Sequence, residues 1–392
     1  MGLYIHVPFC VHKCGYCDFN SWAEERPGPQ QAWFSSLTKQ VQFWSPKMKD
    51  HAFETVFFGG GTPSLLSNEL ITQTMVLLKK HFQFSKNVEI TWEVNPETVS
   101  LEKIEAFASA GVNRLSMGVQ SFQNVNLDRL ERRARREDNL RALQVIGKNW
   151  PGRWSLDLMF GLPNQSQQSW AEELSTALEF KPRHISAYQL TLTTERSKNW
   201  QQPDEDELLK QLLFTQKTLA AAGLPAYEVS NFAAPEEECR HNLKYWDLEG
   251  FLSLGPGAAG LIPGRWLNPV AASDQSLRWG FHQKNPDSFE KWSAGAGQAE
   301  AELGTWLKPR DWQMHLEELL MMGLRLQKGV SEARISQFLG LLEGPEFIKK
   351  QGFRALSPDA LPLLNTHLEK IFGKLDNFRP PSLDLEQLDP KF

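Results

Sequence analysis

Leu3-Tyr4-Ile5-His6-Val7-Pro8-Phe9-Cys10-Val11-His12-Lys13-Cys14-Gly15-Tyr16-Cys17 joins a short apolar run to three closely spaced cysteines. The first five residues read as a strand. The cysteines fall on the loop after it, separated by three residues and then two. A disulfide across so short a span staples nothing useful, and four cysteines in 392 residues make no disulfide framework. Crowding of this kind points to metal or redox chemistry. Structural zinc takes four closed ligands, normally in two pairs, so a zinc site here would need Cys239, His6 or His12 to complete it. An iron–sulfur cube is served by three thiolates, which leave its fourth iron open to an outside ligand. Either way, the chemistry is expected at the carboxyl end of the first strand.

Outward from this loop, short β-rich runs alternate with longer amphipathic stretches to about residue 230, the rhythm of repeated βα units around a parallel sheet. Strands are expected at Leu3–Val7, Thr55–Phe58, Val88–Glu93, Arg114–Val119, Ser155–Met159 and His184–Leu190. Helices are expected at Ala32–Phe43, Asn68–His81, Leu101–Ala110, Asp138–Ile146 and Trp170–Phe180, with Gly111 placed as a helix C-cap. Polar or glycine residues recur at the strand ends: Gly59-Gly60-Gly61 after the second, Glu93 closing the third, Gln120 after the fourth and Asp157 on the fifth. Any one of these is an ordinary turn former. Together they describe one face, because ligands of barrels and open α/β sheets bind at the carboxyl edge of the strands.

Beyond residue 230 the rhythm changes. The stretches Gly250–Gly264 and Ser293–Ala301 read as loops or linker, and a helical pattern starts after Pro309 with Trp312, Leu316, Leu319, Leu320, Gly323 and Leu324 on one face. The expected organisation is a barrel over 1–230, a linking segment over 231–300, and a small helical domain over 301–392 ending in a polar tail from Phe378. A net charge of −5 gives no general attraction for nucleic acid, and the basic run Arg132–Arg136 is interrupted by Ala134. No apolar run approaches bilayer length, and the amino terminus lacks the pattern of a secretion signal, so a cytoplasmic location is expected.

The cysteine triad with Tyr16, followed one βα unit later by Gly59-Gly60-Gly61-Thr62-Pro63-Ser64, resembles the radical S-adenosylmethionine (SAM) superfamily. More narrowly, residues 3–260 are similar to the branch of oxygen-independent coproporphyrinogen III oxidases and radical-SAM haem chaperones. The resemblance implies a partial (β/α)6 barrel with a smaller, mainly helical C-terminal domain. It implies a [4Fe-4S] cluster on Cys10, Cys14 and Cys17, and SAM contacts from Tyr4, Gly60, Gly61, Thr62, Glu93, Gln120, Arg132 and Asp157. His241-Asn242-Leu243-Lys244-Tyr245-Trp246 combines an imidazole with two aromatics, and the resemblance associates His241, Tyr245 and Trp246 with haem.

Phe19 stands where the decarboxylating oxidases typically have a further cysteine, and the chain starts almost at the first strand, whereas those oxidases carry an N-terminal arm over the site. The expected function is therefore haem chaperoning, with transfer of haem to an acceptor protein and electrons from a donor such as a flavodoxin or ferredoxin. Coproporphyrinogen decarboxylation is the alternative. Ala134 and Ala259 depart from the family pattern, which has a histidine at each position.

Overall fold

The computed structural model describes residues 1–23, 27–192, 200–267, 279–296, 307–357 and 360–375. Six parallel strands, Gly2–Val7, Ala52–Gly60, Gln83–Val94, Arg114–Gln120, Arg153–Phe160 and His184–Gln189, lie side by side in chain order. Each expected strand is present, lengthened by a residue or more at one or both ends except the sixth, which stops one residue short. These strands place apolar residues on the face packed under the helices, while alternate positions such as Tyr4, Glu93, Ser116 and Asp157 turn to the other face and line a cavity. Leu3, Ile5 and Val7 are fully buried, as are Val56, Phe58, Leu156 and Leu158 on later strands.

Helices Pro27–Trp44, Asn68–His81, Leu101–Ala110, Arg136–Asn149 and Gln167–Glu179 connect successive strands, and their starts are written in the sequence. The hydroxyls of Ser67, Ser100 and Ser166 each accept from a first-turn backbone N–H of their helices, which satisfies one of the donors left open at a helix start. Gly111 ends the third helix at φ +89°, a left-handed cap that a Cβ would strain. Trp92 is stacked on Phe58, ring centroids 3.8 Å apart, and packs against Phe107. The five tryptophans among the largest fully buried side chains, Trp33, Trp44, Trp92, Trp170 and Trp292, belong to this core.

The stretch 250–264 differs from its expected loop. Phe251–Leu254 pairs in parallel with the first strand, and Ala259–Ile262, Phe281–Lys284 and Leu307–Pro309 continue the sheet antiparallel beyond it. The glycines that signalled a loop sit in the turn between two four-residue strands, where Gly255 and Gly257 take φ +104° and +72°. With Asn231–Ala233 on the opposite edge, the sheet has eleven strands among the described residues, and the cysteine-bearing first strand lies inside it.

Leu316, Leu319, Leu320 and Leu324 are buried, as their spacing predicts, in a second core with Phe338, Leu368 and Ile371. Helices Trp312–Gly323 and Leu364–Leu375 enclose this core together with a small antiparallel sheet of Val330–Ser331, Phe347–Lys350 and Phe353–Leu356. The tail expected from Phe378 and most of the stretch Ser293–Ala301 lie outside the described residues. Among the described residues, no helix is long and apolar enough to cross a membrane.

Candidate functional site

The cysteine loop and the glycine turn are tied together by backbone. Phe9–Cys10 pairs with Trp22–Ala23, so the intervening residues form a closed excursion above the sheet. The amide of Gly61 donates to Val7 O (2.8 Å) and that of Thr62 to Phe9 O (2.7 Å). A Cβ on Gly61 would lie 2.6 Å from Phe9 O, and one on Gly60, at φ +116°, would lie 2.5 Å from the His6 ring. Glycine is therefore required for this close approach, whatever else the turn binds.

A chain of side-chain contacts then joins two cysteines. Thr62 Oγ1 donates to Cys10 Sγ (3.7 Å) and accepts from Asn95 Nδ2 (3.2 Å). Arg132 Nη2 donates to Asn95 Oδ1 (3.3 Å) and to Gly118 O (2.7 Å), while its Nη1 lies 4.0 Å from Cys14 Sγ. Arg132 is thus turned inward, away from any surface patch. Its neighbours in the basic run are engaged too: Arg135 pairs with Asp128, and Arg136 donates to Phe122 O. Burial raises the pKa of the Cys10 and Cys14 thiols, opposed by Thr62 and Ser21 at Cys10 and by Arg132 at Cys14. Among the described residues no three His, Cys, Asp or Glu side chains converge on a single ion position. A cube takes one thiolate per iron, so its ligands do not meet at one point. Three thiols on one loop, with a guanidinium beside one of them to offset anionic charge, fit such a cluster in donor type and electrostatics.

Two carboxylates face the same space from the third and fifth strands. Glu93 accepts from the amide of Gly60 (3.1 Å), and burial plus the nearby Asp157 push its pKa up to about 8. Asp157 accepts from Ser116 (3.3 Å) and is itself raised to about 6 by burial, against the hydrogen bonds of Ser186 and Ser116. Two acids that resist ionisation next to each other are satisfied by a bound cation or by hydroxyl donors. This matches the sulfonium, ammonium and ribose of SAM, so the residues present fit that group as well. Tyr4 stacks on Phe57, and its hydroxyl lies 3.0 Å from His6 Nδ1, whose Nε2 bonds Asn20 O (2.8 Å). A carbonyl only accepts, so His6 carries its proton on Nε2 and the Tyr4 hydroxyl donates. Gln120, at φ +67°, sits where the fourth strand slips register against the fifth, and its amide lies over Gly118.

The sequence reading singled out neither Asn95 nor Ser116. Asn95 falls two residues after Glu93, just past its strand, where the strand-end rule would have caught it. Ser116 lies inside a strand and had no sequence signal.

Above the carboxylates opens a cavity of about 1100 Å³, at the upper end of the usual range for ligand pockets. Tyr245 and Trp246 form part of its wall, with Phe19 and Phe251. His241 does not open onto it. Its Nδ1 is 2.7 Å from Thr55 Oγ1, its Nε2 is 2.6 Å from the Tyr245 hydroxyl, and its ring is stacked on Phe57. The short helix Arg240–Trp246 turns this imidazole toward the sheet, where burial lowers its pKa to about 3. The expected open iron ligand is thus a buried, neutral histidine with both nitrogens in use.

A family model described as the radical SAM superfamily matches residues 4–177. The curated "Heme chaperone HemW" of Haemophilus influenzae is 39% identical over 269 residues, 67% of this chain and 70% of that protein. The protein of the same name from Mycobacterium tuberculosis is 32% identical over 349 residues, 85% of this chain and 84% of the relative. The solved structure of coproporphyrinogen III oxidase (HemN) from Escherichia coli, a radical SAM enzyme, superposes with a TM-score of 0.75. At 18% identity, over 94% of this chain and 89% of that one, the likeness is of fold. Relatives of that name thus match at 32–39% identity over 70–84% of their own length, and the chain belongs to the radical-SAM haem chaperones, a branch of the oxygen-independent coproporphyrinogen oxidase-like family.

Proposed function

We propose that the protein binds a [4Fe-4S] cluster, SAM and haem, and passes haem to an acceptor protein. The observation that carries this reading is the cavity of about 1100 Å³, whose lining runs from the two cofactor-facing carboxylates, Glu93 and Asp157, to the aromatic wall of Tyr245 and Trp246. It has room for a flat macrocycle beside a nucleoside. Cys10, Cys14 and Cys17 hold the cluster. Gly60, Gly61 and Thr62 present backbone to SAM, with Tyr4, Glu93, Gln120, Arg132 and Asp157 around it. When bound there, a reduced cluster would supply one electron for cleavage of SAM. The chain's own residues contribute a charge-balanced thiolate environment through Arg132 and a cation-seeking carboxylate pair. Tyr245 and Trp246 flank the haem, while His241 fixes the Tyr245 hydroxyl from behind. Electrons come from a donor such as a flavodoxin or ferredoxin, in the cytoplasm.

The second reading, decarboxylation of coproporphyrinogen, is favoured by the shared fold. Against it stands Phe19, 63% exposed in the cavity wall, an apolar side chain that can neither ligate nor transfer a proton. Anaerobic reconstitution followed by titration with haem and with SAM, and an assay of coproporphyrinogen consumption, separates the two. Stoichiometric haem binding without protoporphyrinogen formation is expected, and multiple turnovers in that assay would overturn the chaperone reading.

A further inference from the structure

His282 faces this cavity with a nitrogen to spare and is open to solvent, whereas His184, whose Nδ1 also lacks a partner, is buried with its Nε2 on the Tyr227 hydroxyl. It lies on the strand Phe281–Lys284, half-exposed, and lines the cavity together with Glu318, Met321 and Met322 from the helix Trp312–Gly323. Its Nε2 is 2.5 Å from Glu318 Oε1. Glu318 is in turn held through its other oxygen by Arg310, a buried guanidinium that also donates to Trp279 O (2.9 Å) and meets His315 Nδ1 (3.2 Å). The carboxylate is therefore fixed in place, with its charge matched by Arg310, and it accepts the Nε2 proton of His282. That bond fixes the tautomer and leaves the Nδ1 lone pair as the free donor, and Nδ1 has no protein partner among the described residues. A carboxylate behind one ring nitrogen is what commonly orients a metal-ligating histidine and strengthens it as a base.

The surroundings suit a macrocycle. His282 pairs across the sheet with Leu261, and Ala259, two residues along on the same face, puts only a methyl group into the cavity beside it. Met321 and Met322 bring polarizable, conformationally adaptable thioethers. The contrast with His241 decides between the two histidines. Freeing His241 would break its contacts with Thr55 and Tyr245 in a dry site, where each abandoned polar group costs about 1–3 kcal/mol. His282 loses nothing by taking a ligand on Nδ1. A rim position also leaves the iron within reach of an incoming acceptor ligand.

We infer that His282 is the axial ligand of the haem iron, positioned by Glu318 and the buried Arg310 behind it. The inference rests on the haem-binding reading above and moves the iron bond from the Arg240–Trp246 helix to the strand Phe281–Lys284. The test is anaerobic titration of the full-length protein with ferric haem, read by the Soret band and by electron spin resonance. His282→Ala should lose the histidine-ligated spectrum, and added imidazole should restore it. His241→Ala should keep that spectrum. Glu318→Gln, a change at a positioning residue, should weaken haem binding by about tenfold or more and lower the frequency of the ferrous iron–histidine stretch. A wild-type spectrum in folded His282→Ala, or a lost spectrum that imidazole fails to restore, would overturn the assignment. No Soret band in the wild-type protein would instead overturn the haem reading itself.

Discussion

Replacing Glu93 by glutamine should stabilise the protein relative to wild type, and by more at pH 8 than at pH 6. Glu93 is enclosed by protein except where the cavity reaches it. Burial and the facing Asp157 raise its pKa to about 8, only partly offset by the Gly60 amide, whereas a free glutamate titrates near 4.5. Between those values the folded chain keeps a proton that the unfolded chain has released, so stability falls as pH rises through this window and levels off above it. Asp157, raised to about 6, acts in the same direction over a lower range, so measuring above pH 6 isolates Glu93. Each pH unit corresponds to about 1.4 kcal/mol for one fully retained proton, which bounds the loss from pH 6 to 8 at about 3 kcal/mol. Water in the cavity screens the carboxylate, so a change of roughly 1–2 kcal/mol is expected. Glutamine has no proton to lose there. Urea unfolding of the cofactor-free protein at pH 6, 7 and 8 should therefore show a wild-type midpoint that declines and a Glu93→Gln midpoint that declines less. Parallel midpoint curves would refute the claim that Glu93 is held protonated by its surroundings.

SAM should bind more tightly as pH rises from 6 to 8, by at most tenfold per unit for one released proton, because a cation beside Glu93 and Asp157 favours their charged forms; calorimetry in buffers of different ionisation heat would count that proton. Cys14→Ser should abolish the absorbance and spin-resonance signals of the reconstituted cluster. Cys239→Ser should leave them intact, since the Cys239 thiol is buried beside Glu89 with its pKa pushed up to about 12. Arg132→Met should lower cluster occupancy, read as iron and sulfide per chain, and destabilise the fold by about 2 kcal/mol through the orphaned Gly118 carbonyl and Asn95 amide. His241→Ala should cost about 2–4 kcal/mol in denaturant unfolding, from two lost hydrogen bonds and the space left against Phe57.

Much of this architecture was legible because its signals are local. A short β-rich run between amphipathic stretches announces a strand of the parallel sheet, and Ser67, Ser100, Ser166 and Gly111 mark helix ends within a few residues of where they lie. The placement of Glu93, Gln120 and Asp157 on one face followed from their being at or near strand ends. What escaped depends on contacts remote in sequence. Asn95 completes the link between Cys10 and Cys14 only through Thr62 and Arg132, 33 and 37 residues away. The strands Phe251–Leu254 and Ala259–Ile262 are four residues long with glycines around them, so turn chemistry masks them. His241 shows the limit most clearly. An imidazole beside two aromatics has the composition of a ligand, but the direction it faces is set by how a seven-residue helix sits on Thr55 and Phe57.

The pairing of Gly2 with Phe251 sets an order of events on the ribosome. The first strand has one partner in Ala52–Gly60, available early, but its other edge waits for Phe251–Leu254, which leaves the ribosome almost 250 residues later. At ordinary synthesis rates that interval is roughly 10–50 s, during which the strand leading into the cysteine loop is an exposed edge and its thiols lack their final surroundings. Gly255, whose missing side chain lets it lie against the His6 backbone, arrives in the same stretch of chain. A ribosome stalled before residue 250 would therefore release a product whose three clustered cysteines lie beside an unpaired strand.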